Sequence, residues 1–341
     1  MGLMTTTCLI NSYNYAEFLG EAIDSALAQT VPFDEIIVVD DGSTDGSREW
    51  LSRRFAAHPV VRVVAKNNQG QLSCFNEGFA HSRGDVVFFL DADDVYEPNY
   101  LERAQATYSR HPAVDFVACA GRRFGRLNEL QLRYPSSRDL GYSVLRAACL
   151  RDWVGASTSC LSMRRWVLEK ILPLPFLANW RTRADDCLVF GASLAGARKY
   201  YLAEPLTRLR QHDNNLFRGR TQDDGAVYRR RVAINQLFEY LERKLHYNIP
   251  RLAEFHHREF CTIPSPTWRE LRQYLKIGRF ASLSPWRRAA CLGEMLRHLL
   301  LRQADTSSAA TDVAESSRAA ADHLFAPTVA YPLRDCERRV A

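Results

Sequence analysis

Three aspartates stand within four positions of the segment FFLDADDVYEP, residues 88–98. Asp91, Asp93 and Asp94 follow an apolar run, and carboxylates this close repel one another unless a cation lies among them. If the run is a strand, residues two apart point the same way, so Asp91 and Asp93 share one side. Such oxygen ligands suit Mg²⁺ or Mn²⁺, and one or two carboxylates suffice where a diphosphate supplies further oxygens. Asp94 is expected to cap the following helix.

Apolar residues in the first hundred positions alternate between strand and helix periods. Asn14 and Glu17 have the spacing of a capping box at the start of the first helix. The order βαβαβαβ predicts a mostly parallel sheet with helices on both faces. The predicted buried strands are TTTCLI (5–10), EIIVVD (35–40), VVRVV (60–64) and DVVFFLD (85–91).

Polar side chains stand at the carboxyl end of each predicted strand, where ligands bind in such sheets. Turn chemistry explains any one of these clusters, but four in succession indicate one shared site. The clusters are Asn11, Ser12 and Tyr13, then Asp40 and Asp41, then Asn67 and Asn68, and finally residues 91–94.

The second half of the chain is more mixed. Asp185 and Asp186 begin an apolar helix after a Pro-rich loop, and a predicted strand ends at His212. We divide the chain into a catalytic domain (1–225), a basic helical extension (226–302) and a low-complexity tail that we expect to be flexible (303–341).

Four segments together resemble family 2 glycosyltransferases with the GT-A fold. The resemblance implies an α/β fold, with a Rossmann-like, mostly parallel sheet flanked by helices and here a C-terminal helical appendage. It also implies an inverting enzyme that moves a sugar from a nucleotide donor to a hydroxyl of a glycan or lipid-linked glycan. The segments are TCLINSYNYAEFLGEAIDSALAQT, EIIVVDDGSTDGS, NQGQLSCFNEGFAHSRGDVVFFLDADD and ADDCLVF.

The resemblance assigns roles to the residues that would hold the donor. Asp41 would accept the N–H of the base, which favours a UDP-sugar, and Asp40 would support that turn. The remaining donor-binding positions would be Asn11, Ser12, Tyr13, Asn68, Asp91 and Ala92.

The resemblance also assigns the metal ligands and the base. Asp93, with Asp91 and His212, would hold Mn²⁺ or Mg²⁺ at the diphosphate. Asp186 would be the general base and Asp185 its companion in the family's acidic pair. Each has a simpler alternative, because acidic residues also suit a helix N-terminus and a histidine at a strand end is often structural.

The chain departs from the family pattern at two places. Phe75 precedes Asn76 where many members carry arginine, and no arginine follows the acidic pair within two turns. A basic contact to the diphosphate would then come from elsewhere, with Lys66 and Arg183 as candidates, or be absent. Acceptor recognition is expected from Trp153 with the loop 155–160, and from the loop 176–183, where Trp180 is a candidate to stack on a sugar ring. The Pro-rich loop before Asp185 is expected to close over the donor as a lid that excludes water.

Three other functions are alternatives to sugar transfer. A nucleotide-sugar pyrophosphorylase needs a Gly-rich basic loop after the first strand, and the chain has NSYNYAEF there. A metal-dependent phosphohydrolase needs a companion lysine and a later acidic pair that are not evident. The third alternative is a catalytically inactive relative that binds sugar nucleotide or acts as a scaffold.

The net charge of +6 is concentrated in one segment, since residues 226–302 contain 15 Lys and Arg against 6 Asp and Glu. This segment could face anionic lipid or an acidic partner, mediate a homodimer, or be a solvated helical face. No nucleic-acid partner is expected.

Nine scattered cysteines without CxxC spacing favour free thiols in a reducing compartment. No signal peptide and no transmembrane run are recognised, so we expect a cytoplasmic protein, with the inner face of the membrane as an alternative location.

Overall fold

The computed structural model describes residues 4–212 and 223–302. Within these ranges the strands are β1 Thr6–Ser12, β2 Glu35–Asp40, β3 Val61–Ala65, β4 Val86–Asp91, β5 Val95–Tyr96, β6 Phe116–Gly125, β7 Glu129–Gln131, β8 Arg138–Gly141, β9 Leu161–Arg164 and β10 Lys199–Gln211.

The helices alternate with these strands and then form the carboxyl-terminal part of the described chain. They are α1 Ala16–Leu27, α2 Ser47–Phe55, α3 Gln71–His81, α4 Tyr100–Arg110, α5 Val144–Leu150, α6 Arg165–Ile171, α7 Asp185–Leu194, α8 Asp224–Lys244, α9 Ile249–Ala253, α10 His256–Cys261 and α11 Trp268–Ile277, followed by α12 over 285–302.

The strands form one sheet in the order β3-β2-β1-β4-β9-β6-β10-β5, with β7 paired to β6 and β8 to β10. The first four strands along the chain are parallel, as the βαβαβαβ pattern predicts. β9 then joins β4 to β6 by antiparallel ladders, and β6 and β10 are again parallel. The predicted fold class, an α/β sheet flanked by helices, is confirmed.

The central strands are apolar on both sides because helices cover both faces of the sheet. Leu9 and Val87 point to the cluster that contains α3 and α7. Ile10 and Phe88 point to the opposite cluster, which contains α1 and α4. Successive residues thus enter different cores, as the two-residue period of a strand requires.

Two capping predictions are wrong. Helix α1 begins at Ala16 after Tyr15, without a side-chain cap, because the Asn14 carboxamide instead accepts the N–H of Thr44 at 2.8 Å. Helix α4 follows Asn99, and Asp94 accepts instead the N–H of Arg210 at 2.9 Å. Both side chains bind segments distant in sequence, which local spacing cannot reveal.

Helix α8 packs against the predicted catalytic domain. Its inner face, including Leu237 and Phe238, belongs to the same core as β1 and α7. Residues from α9 onward form a separate apolar cluster that also includes Leu145 of α5. The boundary between the catalytic domain and the extension stays a prediction, and the predicted tail lies outside the described residues.

The eight cysteines within the described residues are all free. None of the helices in the described ranges is both long enough and apolar enough to span a bilayer.

Candidate active site

The polar ends of β1, β2 and β4 meet at one edge of the sheet. In the parallel ladders Ser12 stands opposite Asp40, and Asn11 stands opposite Asp91. The strands run in the same direction, so their carboxyl ends meet on this edge. The predicted donor-binding residues of these three strands are therefore neighbours in the structure.

Asp41 is buried and already bound by the loop between β3 and α3. Its carboxylate accepts the N–H groups of Gln69 and Gly70 at 2.9 and 2.7 Å, and also the ammonium of Lys66. Because a carboxylate has about four acceptor positions, a nucleotide base would share this group with those donors. Lys66, a candidate for the diphosphate contact, is engaged here.

Three buried polar atoms at this edge have no hydrogen-bond partner among the described residues: Asn11 Oδ1, Ser12 Oγ and Asp40 Oδ1. Unsatisfied buried polar atoms are costly and few in folded proteins, and ligand sites are one place where they occur. Tyr13, the next residue along the chain, is 45% exposed. The β1–β2 edge thus offers polar atoms and an aromatic ring to a bound molecule.

The three aspartates after β4 have different surroundings. Asp91 accepts the side-chain N–H of Gln71 at 2.9 Å, whereas Asp94 accepts the hydroxyl of Ser159 at 2.6 Å. Burial, and then the charge of Asp93, raise the pKa of Asp91 to about 7. The same two causes hold the pKa of Asp94 well above its usual range.

Of these three aspartates, Asp93 is in contact with His212. Its Oδ2 lies 3.1 Å from Nε2 of His212, and the histidine ring packs on Phe18, with centroids 4.6 Å apart. Ala92, between the acidic residues, is fully buried, and its N–H binds the carbonyl of Asn11 at 3.2 Å. The structure thus brings the predicted ligands Asp93 and His212 into contact beside the end of β4.

Asp186 lies at the start of α7 and is bound by an arginine from the helical extension. Nε and one terminal nitrogen of Arg230, on α8, donate to Oδ2 and Oδ1 of Asp186, each at 2.8 Å. Asp186 is 2% exposed. Such a two-point contact fixes the plane of the carboxylate.

Asp185 has a different environment from its neighbour. Burial, and then the charge of Asp186, raise the pKa of Asp185 to about 7, with Arg183 acting in the opposite direction. The charge of Asp185 also contributes to the raised pKa of Asp91. The acidic pair of α7 and the aspartates of β4 therefore belong to one electrostatic site.

Gln71 connects these two acidic groups. Its amide nitrogen donates to Asp91, and its amide oxygen accepts the N–H of Ala184 at 2.9 Å. The segment before α7, which includes Arg181 and Ala184, also lies against Gly70. A Cβ added to Gly70 would come within 2.4 Å of the Arg181 Cα. Helix α3 therefore positions both the β4 end and the segment that leads into α7.

Sequence reasoning missed Gln71 and Arg230, and it named the loop 155–160 without the contacts that Ser159 makes. Gln71 lies inside one of the segments that carry the family resemblance, so its place at the start of a helix beside the site was a usable signal. Arg230 had no such signal, because it is 44 positions from Asp186. Ser159 likewise reaches Asp94 and the N–H of Asp91 from a distant loop.

Several candidate acceptor and phosphate contacts have definite positions. Trp180 is 2% exposed and belongs to the main core, so its ring does not face solvent. Trp153 is partly buried, with the Arg133 guanidinium 5.1 Å from its ring centre. Asn68 accepts a hydrogen bond from Arg181 of the loop 176–183.

The donor set suits a divalent cation that shares its coordination with a substrate. Among the described residues no group of three or more His, Cys, Asp or Glu side chains is placed to hold a metal ion. Asp91 and Asp93 supply hard oxygen atoms, and a diphosphate would supply others. The residues present therefore fit a metal that binds together with the donor.

Comparison with known proteins places this geometry in a family. Residues 7–172 match the family model for glycosyl transferase family 2. An uncharacterised glycosyltransferase of Nostoc sp. is 36% identical over 217 residues, which are 62% of this chain and 66% of that protein. A chondroitin synthase of Pasteurella multocida is 37% identical over 93 residues, 27% of this chain and 10% of that protein.

The fold has a counterpart among solved structures. TarS 1–349 of S. aureus, in complex with UDP-GlcNAc, matches with a TM-score of 0.54 and 17% identity, over 90% of this chain and 92% of that chain. At this identity the likeness concerns the fold alone. Together with the family model, it identifies a GT-A glycosyltransferase fold.

The chain belongs to glycosyl transferase family 2. It spans just under two thirds of the length of the Nostoc relative and about a tenth of the chondroitin synthase.

Proposed function

We propose that this protein transfers a sugar from a nucleoside diphosphate donor, with a UDP-sugar favoured, to a hydroxyl of a glycan or lipid-linked glycan. The observation that carries the proposal is the shared strand edge. There the unpartnered atoms of Asn11, Ser12 and Asp40 lie beside the β4 aspartates, and Gln71 links those aspartates to α7. One ligand with a polar base and a diphosphate would suit both ends of this edge, provided that a divalent cation lies between the diphosphate and the aspartates.

The donor would lie along the edge with its nucleoside toward β1 and β2. Tyr13 is exposed enough to stack on a base. Asp41 would accept a base N–H by sharing its oxygens with the donors that already bind it. Asp91 and Asp93 would hold Mn²⁺ or Mg²⁺ together with the diphosphate, and His212 would assist through its contact with Asp93. The cation would neutralise the charge that develops on the leaving diphosphate.

Asp186 would act as general base in a single displacement. The acceptor oxygen forms a bond to the anomeric carbon while its proton passes to the Asp186 carboxylate. The bond from that carbon to the donor's phosphate oxygen breaks, and the nucleoside diphosphate leaves from the opposite face with inversion. Arg230 would hold the carboxylate plane while one lone pair receives the proton.

A donor panel tests the proposal. The full chain is incubated with Mn²⁺ and UDP-, GDP- and dTDP-sugars, and release of the nucleoside diphosphate is measured with and without candidate glycan acceptors. We expect release with one class of donor and a loss of about 10²–10⁴-fold in Asp186→Asn. Unchanged activity after rigorous chelation would contradict the role of the metal.

The same panel separates an enzyme from an inactive relative. A catalytically inactive protein would bind a sugar nucleotide, measured by calorimetry, without releasing nucleotide from any donor at any acceptor concentration. Full acceptor-dependent activity in Asp186→Asn would instead show that the enzyme works with another base.

Partners other than the donor and acceptor also remain proposals. The positive charge of residues 226–302 favours peripheral membrane contact, for which the inner face of the membrane is the corresponding location. The apolar stripe of the same segment would suit a homodimer.

A further inference from the structure

Near the end of the described chain, exposed aromatic and basic side chains lie close together in sequence. Helices α11 and α12 are joined by a short turn that carries Phe280, 51% exposed, and Trp286, 87% exposed, stands at the start of α12. Exposed basic residues accompany them on the same turn and the adjoining helix ends. We define the α11–α12 patch as Leu275, Lys276, Arg279, Phe280, Trp286 and Arg287.

The patch carries an unbalanced positive charge. Residues 271–293 include five Lys and Arg and no Asp or Glu. Within the part of the chain that the structure describes, no ion pair involves Lys276, Arg279 or Arg287. The acidic residues nearest in sequence are already used, since Glu270 binds Arg138 and Glu294 binds Arg258.

The turn that presents the patch is fixed to the molecule. Arg288 donates to the carbonyls of Gly278, Ala281 and Leu283 at 2.8, 2.8 and 3.1 Å. On the inner side of α11, Tyr274 and Ile277 are buried in the cluster of the extension. The outward residues are therefore held by a packed element, and their exposure is a property of the fold.

We propose that the α11–α12 patch docks on an anionic phospholipid bilayer. Aromatic side chains with adjacent Arg and Lys suit the interfacial region, where rings enter the headgroup layer and basic groups meet lipid phosphates. A twofold dimer through the same patch would place like charges opposite each other, which argues against a second copy of this chain as the partner. The docking does not depend on glycosyl transfer, so either proposal can fail alone.

Vesicle sedimentation of the full chain tests the docking. The vesicles contain phosphatidylcholine alone or mixed with phosphatidylglycerol, at low and at physiological salt. We expect binding to the mixed vesicles, weaker binding at higher salt, and little binding to phosphatidylcholine alone. Failure to bind anionic vesicles at low salt, or equal binding to both vesicle types, overturns the proposal.

Variants locate the surface. Lys276→Gln/Arg279→Gln/Arg287→Gln should lose affinity for anionic vesicles by about fivefold for each charge removed. The matched control, Arg53→Gln/Arg62→Gln/Arg231→Gln, removes three exposed charges elsewhere and should retain most of the binding. Equal losses in both variants would show that only net charge matters and would contradict a defined patch.

The aromatic residues provide a second test. Phe280→Ser/Trp286→Ser should release the protein from anionic vesicles, whereas Tyr228→Ser, at a position 69% exposed on α8, should not. Sedimentation velocity without lipid tests whether the patch instead binds a second copy of this chain. Concentration-dependent dimers that the aromatic variant abolishes would assign the patch to a second copy and overturn membrane docking.

Discussion

Arg230 of α8 holds Asp186 of α7 through two hydrogen bonds of 2.8 Å, one to each carboxylate oxygen. The helical extension therefore supplies part of the candidate active site. The sequence lacks the arginine that many family members carry shortly after the acidic pair, and Arg230 places a guanidinium on that pair from a distant helix. Asp186, which is 2% exposed, would otherwise be an unpaired buried charge.

Replacing Arg230 should lower both turnover and stability. In Arg230→Gln we expect at least about a tenfold loss of nucleotide release, because the carboxylate plane is no longer fixed. The unpaired Asp186 should also cost about 1–2 kcal/mol of unfolding free energy. Arg230→Lys should be intermediate, since an ammonium cannot make the same planar two-point contact.

Arg231→Gln is the matched control for this prediction, because it removes an exposed arginine from the neighbouring position of the same helix. Initial rates and urea unfolding are measured for all three variants. Equal rates in Arg230→Gln and Arg231→Gln would exclude a positioning role.

Asp185 should make the free protein less stable at alkaline pH. Its pKa is raised to about 7, so the folded state binds a proton more tightly than the unfolded state, and stability falls as pH rises from about 4 to about 7. Asp185→Asn should therefore stabilise the protein at pH 8 by something on the order of 2 kcal/mol, and progressively less as pH decreases toward about 5.

Urea unfolding without divalent metal, at several pH values between these limits, measures the difference. Asp24→Asn, at a position whose side chain is 56% exposed, is the comparison. A stabilisation by Asp185→Asn that is the same at every pH would contradict the raised pKa.

Gln71 should matter for donor binding as well as for the fold. Gln71→Leu introduces an apolar side chain of similar size, and so removes the donor to Asp91 and the acceptor for the N–H of Ala184. We expect a loss of about 1–2 kcal/mol in unfolding free energy and a higher KM for the donor. Gln69→Leu, at an exposed position in the same loop, should change neither.

Substitution of Gly70 tests how closely the loop before α7 packs against the start of α3. Its φ of 92° suits glycine, and a Cβ would come within 2.4 Å of the Arg181 Cα. Gly70→Ala should destabilise the protein by several kcal/mol in urea unfolding, since backbone strain and a backbone clash add. Gly46→Ala, with φ of 88° and open space around it, should cost only about 1–2 kcal/mol. Similar losses in the two variants would mean that the loop moves away freely.

The parallel half of the sheet was predictable because each element is encoded locally. Four apolar runs with helical spacing between them predicted β1 to β4. The polar strand ends predicted that Asn11, Asp40 and Asp91 lie on one edge. The antiparallel ladders of β9 depend on pairing between distant segments, which periodicity does not encode. The partners of Asn14, Asp94 and Asp186 were missed for the same reason.

Metal and nucleotide should stabilise the protein cooperatively. Asp91 and Asp93 provide too few ligands for a closed site, so Mn²⁺ alone should raise Tm only slightly, and UDP alone should do little. Together they should raise Tm by more than the sum of the separate shifts, because each ligand completes the site of the other. Asp93→Asn should abolish this excess, whereas Glu49→Gln, an exposed acidic position on α2, should retain it. Additive shifts in the unmodified protein, measured by differential scanning fluorimetry, would show that the metal and the nucleotide bind independently.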